Sequence, residues 1–284
     1  MREPATTHVK SEDGVHVAVH DYGGSGTPTV FVHGTGLVSR MWEPVIERLP
    51  PERFRALAVD LRGHGASRVP ADVTFTDHRM VTDLTAVCRA FDIVGGWAVA
   101  HSMGGGTALL TEADHPGTFA RLWVYEPIIF PRLGENAEGV SEMAEASRRR
   151  RARFDSRDEA AARYASRPPL DELTAEAMAA YVAHGFVDEP QGTVRLACDP
   201  ELESRAFQQY LQDGYRRLPE ITAPVLVAYG TASSDRSREW SPRIAEALPN
   251  GVELPFEGSA HFGPFGRPDV AAASIDGWFD EPAA

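Results

Sequence analysis

Val99-Ala100-His101-Ser102-Met103-Gly104-Gly105-Gly106 is the stretch whose reading decides the fold. The apolar run Trp97-Ala98-Val99-Ala100 leads into it with the length and composition of a short buried strand. Ala108, Leu109, Leu110 and Ala113 follow it at helical spacing. Strand, sharp turn, helix, with Ser at the turn, is the arrangement called a nucleophile elbow. Backbone segments approach closely in such a turn, so the positions two before and two after the Ser must be small. Ala100 and Gly104 meet that need, although Ala100 departs from the usual G-x-S-x-G. The turn presents the hydroxyl at the carboxyl end of a strand and aims a helix N-terminus at it. Free N–H groups and the helix dipole at that end favour developing negative charge. A Ser there could also serve simply as a helix N-cap, so the rest of the chain must decide.

Working outward, short apolar runs alternate with helical patterns on both sides of the elbow. Residues 6–22 alternate in a two-residue period and read as an edge hairpin, with His8, His16 and His20 facing solvent. Thr29-Val30-Phe31-Val32 is a buried strand ending at His33-Gly34-Thr35-Gly36, followed by a helix through Trp42, Val45, Ile46 and Leu49. Ala56-Leu57-Ala58-Val59 ends at Asp60-Leu61-Arg62-Gly63-His64-Gly65-Ala66-Ser67, and an amphipathic helix over 78–92 precedes the elbow strand. Leu122-Trp123-Val124-Tyr125 ends at Glu126-Pro127. This rhythm predicts an α/β fold, a mostly parallel sheet with helices on both faces.

The rhythm stops after Pro127. Residues 128–221 offer only charged, Ala-rich helical segments, read as an inserted helical cap or lid. The predicted organisation is a core of residues 1–127 and 222–284 with the cap between them. Within the cap, Arg148-Arg149-Arg150-Arg151 with Arg153 reads as a solvated, salt-bridged face, the alternative being a site for an acidic substrate group or partner. The strand–helix rhythm returns at Val225-Leu226-Val227-Ala228-Tyr229-Gly230, then Asp235, a helix over 237–248, a last strand over 252–256, Gly258-Ser259-Ala260-His261, and a closing helix over 267–280.

Composition bounds the partners. The chain has 284 residues, 43% of them hydrophobic and 24% charged, with a formal net charge of −13. That excess of acid argues against nucleic acid and anionic membranes. The two cysteines, Cys88 and Cys198, read as free thiols rather than a disulfide framework. No apolar h-region opens the chain, and no apolar run approaches the ~18 residues of a membrane span, so a cytoplasmic location is expected. No H-E-x-x-H or clustered ligands suggest a metal, and no cofactor is expected. Gly34-Thr35-Gly36 with Asp60 partly imitates a dinucleotide fingerprint, but the third glycine is replaced by Ser39.

Four ordered signals, His33-Gly34-Thr35-Gly36, Asp60-x-Arg62-Gly63-His64-Gly65-x-Ser67, Ala100-x-Ser102-x-Gly104 and Gly258-x-x-His261, resemble the α/β-hydrolase family over residues 15–280 apart from the cap. The resemblance implies the chain order nucleophile, acid, His, which fits Ser102, Asp235 and His261. The family often places its acid three residues after the strand-ending glycine, where this chain has Ser233. Asp235 lies two further on, and Glu126 is the alternative acid. The resemblance also implies an oxyanion hole from the backbone N–H groups of Thr35 and Met103, with Gly34 and Gly36 beside the substrate; Trp42 and Phe262 read either as lining of the acyl pocket or as core filling. A Ser nucleophile points away from the dehalogenase and epoxide-hydrolase branches, which attack with a carboxylate. His101 reads as packing. The expected activity is hydrolysis of a small ester, lactone or thioester through an acyl-serine intermediate. The alternative is a lyase, perhydrolase, cofactor-independent oxygenase or ligand-binding receptor using the same pocket. The partner expected is a small-molecule substrate; a homodimer through the cap is left open.

Overall fold

The computed structural model describes residues 3–131, 138–209 and 214–280. The chain enters as a hairpin, β1 (Ala5–Lys10) antiparallel to β2 (His16–Asp21), followed by β3 (Thr27–Val32). A 3-10 turn (Ser39–Trp42) leads into a single turn of helix, α1 (Glu43–Ile46), then β4 (Phe54–Asp60) and α2 (Asp77–Ala90). The elbow strand β5 (Gly96–His101) runs directly into α3 (Met103–Asp114), and β6 (Phe119–Tyr125) follows. Next come α4 (Glu138–Arg148), β7 (Arg153–Phe154), α5 (Arg157–Ala165), α6 (Ala175–His184), β8 (Phe186–Asp188), β9 (Val194–Leu196) and α7 (Pro200–Gln209). The chain finishes with β10 (Val225–Gly230), α8 (Asp235–Ala247), β11 (Gly251–Phe256), α9 (Gly263–Gly266) and α10 (Pro268–Asp280).

One eight-stranded sheet takes the order β1-β2-β4-β3-β5-β6-β10-β11. Its pairings from β4 to β11 are parallel, while β1 and β2 form an antiparallel edge. The expected α/β architecture is therefore present. The apolar runs are near-continuous because both faces are covered. Val30, Val32, Ala98, Ala100, Leu122 and Val124 point into one core with Met80, Leu84 and Val87 of α2 and Leu109 of α3. The intervening Phe31, Val99, Trp123 and Tyr125 point into the other, with Ile275, Trp278 and Phe279 of α10.

Three sequence expectations are corrected. Residues 128–221 are not helical throughout: β7, β9 and β8 pair into a small antiparallel sheet. Strands of two or three residues are too short to show a period. The helix expected through Trp42 to Leu49 reduces to the 3-10 turn and α1, with Pro50-Pro51 immediately beyond. His20 is not on the solvent face; it is buried, its Nε2 3.1 Å from Asp60 Oδ2 and its Nδ1 2.9 Å from Thr6 Oγ1.

Candidate active site

The carboxyl ends of β3, β5, β6 and β10 and the loop after β11 converge on one place. Ser102 lies at the end of β5 with φ 55° and ψ −121°, a left-handed conformation costly for a residue with a Cβ. The turn is fastened on both sides. Ser102 N–H donates to Tyr125 O at 2.9 Å, and Ser102 O accepts from Ile128 N–H at 3.0 Å and Gly106 N–H at 3.2 Å. The crowding anticipated from sequence is real: a Cβ on Gly104 would sit 2.5 Å from His33 O, and one on Gly34 2.9 Å from Ser102 Cβ.

The loop after β3 is clamped to the loop after β4 by two neutral imidazoles. His33 Nε2 accepts from Leu61 N–H at 3.0 Å while its Nδ1 lies 2.7 Å from Gly34 O. His64 Nε2 accepts from Gly36 N–H at 3.0 Å while its Nδ1 lies 2.9 Å from Arg62 O. Each ring thus carries its proton on Nδ1. Burial, reinforced by His33, pushes His64 down to about 4, so it stays neutral. Asp60 binds Ser39 N–H and Ala66 N–H, both at 2.8 Å, and shapes these loops rather than facing the cavity. Thr35 Oγ1 donates to Met103 Sδ at 3.3 Å, joining the loop after β3 to the start of α3.

His261, on the loop after β11, donates from Nδ1 to Glu126 Oε2 at 2.7 Å. Glu126 follows β6 directly and is buried, with φ 44°. Its other oxygen accepts from Gly230 N–H at 3.0 Å and from the Ser233 hydroxyl. Burial alone would raise its pKa. The hydrogen bond and charge of His261, with the Ser233 and Gly230 donors, outweigh that and hold it at about 2. Glu126 is therefore a carboxylate at neutral pH. His101 also supports the His261 loop: its Nε2 lies 2.8 Å from His261 O, and the two rings stand 4.6 Å apart. Burial and the neighbouring His261 keep His101 neutral. Tyr125 hydroxyl donates to Ala260 O at 2.7 Å from beneath.

Ser102, His261, Thr35, Met103, Gly36 and Phe262 line one cavity of about 660 Å³. Three sequence-named residues lie elsewhere. Asp235 opens α8 with its side chain 96% exposed and pairs with Arg238, so the imidazole's carboxylate partner is Glu126, not Asp235. A short polar residue in a first turn is well placed by the helix dipole, and that is where Asp235 stays. Trp42 is fully buried away from the cavity, its ring 4.8 Å from Phe265 and 5.8 Å from Phe31. Gly34 packs behind Ser102 and is not part of the lining. His101, read as packing, does line the cavity. Its place directly before Ser102 was visible in the sequence; its bond to a residue 160 positions away was not. Among the described residues no group of three or more His, Cys, Asp and Glu is placed to hold a metal ion. No helix among them is long and apolar enough to cross a membrane.

A family model described as the alpha/beta hydrolase family matches residues 29–274. A non-heme chloroperoxidase of Streptomyces lividans is 29% identical over 268 residues, covering 89% of this chain and 92% of that protein. A bifunctional esterase/perhydrolase of Acinetobacter calcoaceticus is 34% identical over 110 residues, 38% of this chain and 40% of that one. The solved structure of an E-2-(acetamidomethylene)succinate hydrolase superposes with a TM-score of 0.81 at 21% identity, covering 98% of this chain and 100% of the other.

Proposed function

This chain belongs to the alpha/beta hydrolase family, and we propose that within it the protein is a serine hydrolase of a small ester, lactone or thioester, with Ser102, His261 and Glu126 as its triad. The observation that carries this reading is the pairing of His261 with the buried Glu126, the imidazole lining the same cavity as a Ser held in a strained turn. Serine is a weak nucleophile at neutral pH and needs an adjacent base. With its Nδ1 proton held by Glu126, His261 presents Nε2 as the free acceptor, the tautomer that can take the Ser102 proton.

Ser102 Oγ attacks the carbonyl carbon and His261 Nε2 takes its proton. The backbone N–H groups of Thr35 and Met103 bind the oxyanion, each such donor lowering the barrier by about 3 kcal/mol. His261 then protonates the departing alcohol or thiol as the tetrahedral adduct collapses to acyl-Ser102. Water, deprotonated by His261, attacks the acyl carbon, and the acid leaves as Ser102 recovers its proton. Glu126 remains ionised throughout and balances the transient imidazolium. Residues 128–221 act as the cap, since Met143, Tyr164, Leu170 and Tyr181 from this segment line the same cavity as Ser102.

Intact mass after exposure to a fluorophosphonate tests the reading. One adduct on the parent and none on Ser102→Ala is expected; an unmodified parent would reject it. A second reading has support in the esterase/perhydrolase relative. Hydrogen peroxide in place of water at acyl-Ser102 would release a peracid, detectable as peracid formed in an ester–peroxide mixture.

A further inference from the structure

The cavity has a charge pattern that the triad does not use. Six arginines line it, Arg149, Arg150, Arg151, Arg163, Arg167 and Arg236, against one carboxylate among the described residues, Glu203. The whole chain has 41 acidic residues and 28 Lys and Arg, so this lining runs opposite to the composition. Three of the six are already committed. Arg150 pairs with Glu203 and donates to Tyr181 Oη at 2.8 Å, Arg151 grips Glu159 at 2.6 and 3.0 Å, and Arg149 lies 3.9 Å from Glu145.

The other three are held less closely, Arg163 only by the charge of Glu159 one turn earlier in α5. The guanidinium groups of Arg163, Arg167 and Arg236 make no hydrogen bond or ion pair with a described residue. Arg236 stands only over the face of Phe130, 5.8 Å from the ring centre. Arg163 closes the last turn of α5, where the helix dipole favours a cation, and Arg167 lies exposed just beyond that helix. Arg236 is in the first turn of α8, where the helix dipole disfavours a cation. They come from separate parts of the lining, α5 and the segment after it and the first turn of α8. Cations spaced around a cleft with apolar walls focus potential and attract anions, and guanidinium matches an oxoanion in bidentate geometry.

We propose, resting on the hydrolase reading above, that the substrate is anionic: an ester or thioester whose acyl or leaving portion ends in a carboxylate or phosphate-type group, held by Arg163, Arg167 and Arg236 while the carbonyl lies at Ser102. These guanidinium groups receive the anion; the apolar part of the same lining, including Ile128, Phe130 and Phe262, receives the connecting chain.

Three p-nitrophenyl esters test this: the adipic acid monoester, the same ester with its far carboxyl methylated, and the 5-phosphonopentanoate ester. At least one anionic ester is expected to exceed the methylated one in kcat/KM by about tenfold or more, with the advantage shrinking as salt rises. Whichever anionic ester leads identifies the oxoanion. In the triple variant Arg163→Gln/Arg167→Gln/Arg236→Gln, checked for a Tm within a few degrees of the parent, the ratio of anionic to methylated turnover falls toward one. A parent with no anionic preference, or a triple variant that keeps the preference, overturns the proposal. Fluorophosphonate labelling of Ser102 keeps the two readings apart, because labelling without anionic preference rejects only the substrate class. If Ser102 does not label, thermal shift with adipate and with 5-phosphonopentanoate decides. A rise in Tm for the parent and none for the triple variant supports the anion site, and no rise for the parent rejects it.

Discussion

Glu126 bears two costs at once, a backbone held at φ 44° and a carboxylate removed from water. The return on both is its grip on His261, reinforced by Ser233 and the Gly230 N–H. Glu126→Gln keeps the shape but can present an amide N–H to His261 and favour the wrong tautomer. By analogy with triad acids, kcat should fall by about 10²–10⁴-fold. Asp235→Asn, on an exposed side chain paired with Arg238, should leave kcat within about twofold. Steady-state kinetics on one activated ester checks both, and the reverse order of severity would return the acid to Asp235. Ranking these two carboxylates was beyond the sequence. Chain order admits either, and the choice depends on which way the loop after β10 turns. That loop puts Ser233 inward, its hydroxyl on Glu126, and Ser234 at the helix cap.

At the scale of elements, the joint between the loops after β3 and β4 is made by His33 and His64 standing in for backbone hydrogen bonds. His64→Phe would fill similar space and leave Gly36 N–H and Arg62 C=O without their partner. A buried unpaired group of this kind costs about 1–3 kcal/mol. A lowered Tm together with a lower kcat is expected, because Gly36 adjoins Thr35; calorimetry and kinetics on the same preparation read both. The sequence displayed these elements unevenly. Buried strands such as β3, β5 and β6 stood out because each is a short apolar run closed by a turn signal. Arg148–Arg151 read as one solvated face, yet α4 ends at Arg148 and lets Arg150 turn inward to Glu203. Trp42 beside a glycine loop resembled a pocket wall, but only packing shows that it sits among Phe31, Trp123 and Phe265.

For the whole molecule, the buried groups His64, Glu126 and Asp60 make stability fall as pH falls, while burial raises the carboxyls of Asp83 and Glu112 and works against them. His64 is lowered from 6.5 to about 4, so as pH drops below 6.5 the unfolded chain gains a proton that the folded chain refuses. Glu126 is lowered from 4.5 to about 2, so its stabilisation is complete above 4.5 and is lost as pH falls toward 2. Asp60, also held below its usual range against the cost of burial by His20, His33 and Ala66 N–H, adds in the same sense. Tm should fall steadily from pH 7 to pH 3, and Glu126→Gln should flatten the part below 4.5. Thermal unfolding across that range checks this; a Tm independent of pH between 7 and 3 would contradict it.

The Ser233–Glu126 contact makes the ends of two different strands neighbouring seats for a single negative charge. β6 supplies the charge here and the loop after β10 supplies only a hydroxyl, so the role should be transferable. In Glu126→Ser/Ser233→Asp the carboxylate would reach His261 from the opposite seat. That exchange should recover at least about tenfold of the kcat lost in Glu126→Ser alone, within the span attributed to a triad acid. Ser233→Asp by itself would crowd two carboxylates around one imidazole, forcing them to share a proton and raising the pH at which the site becomes active.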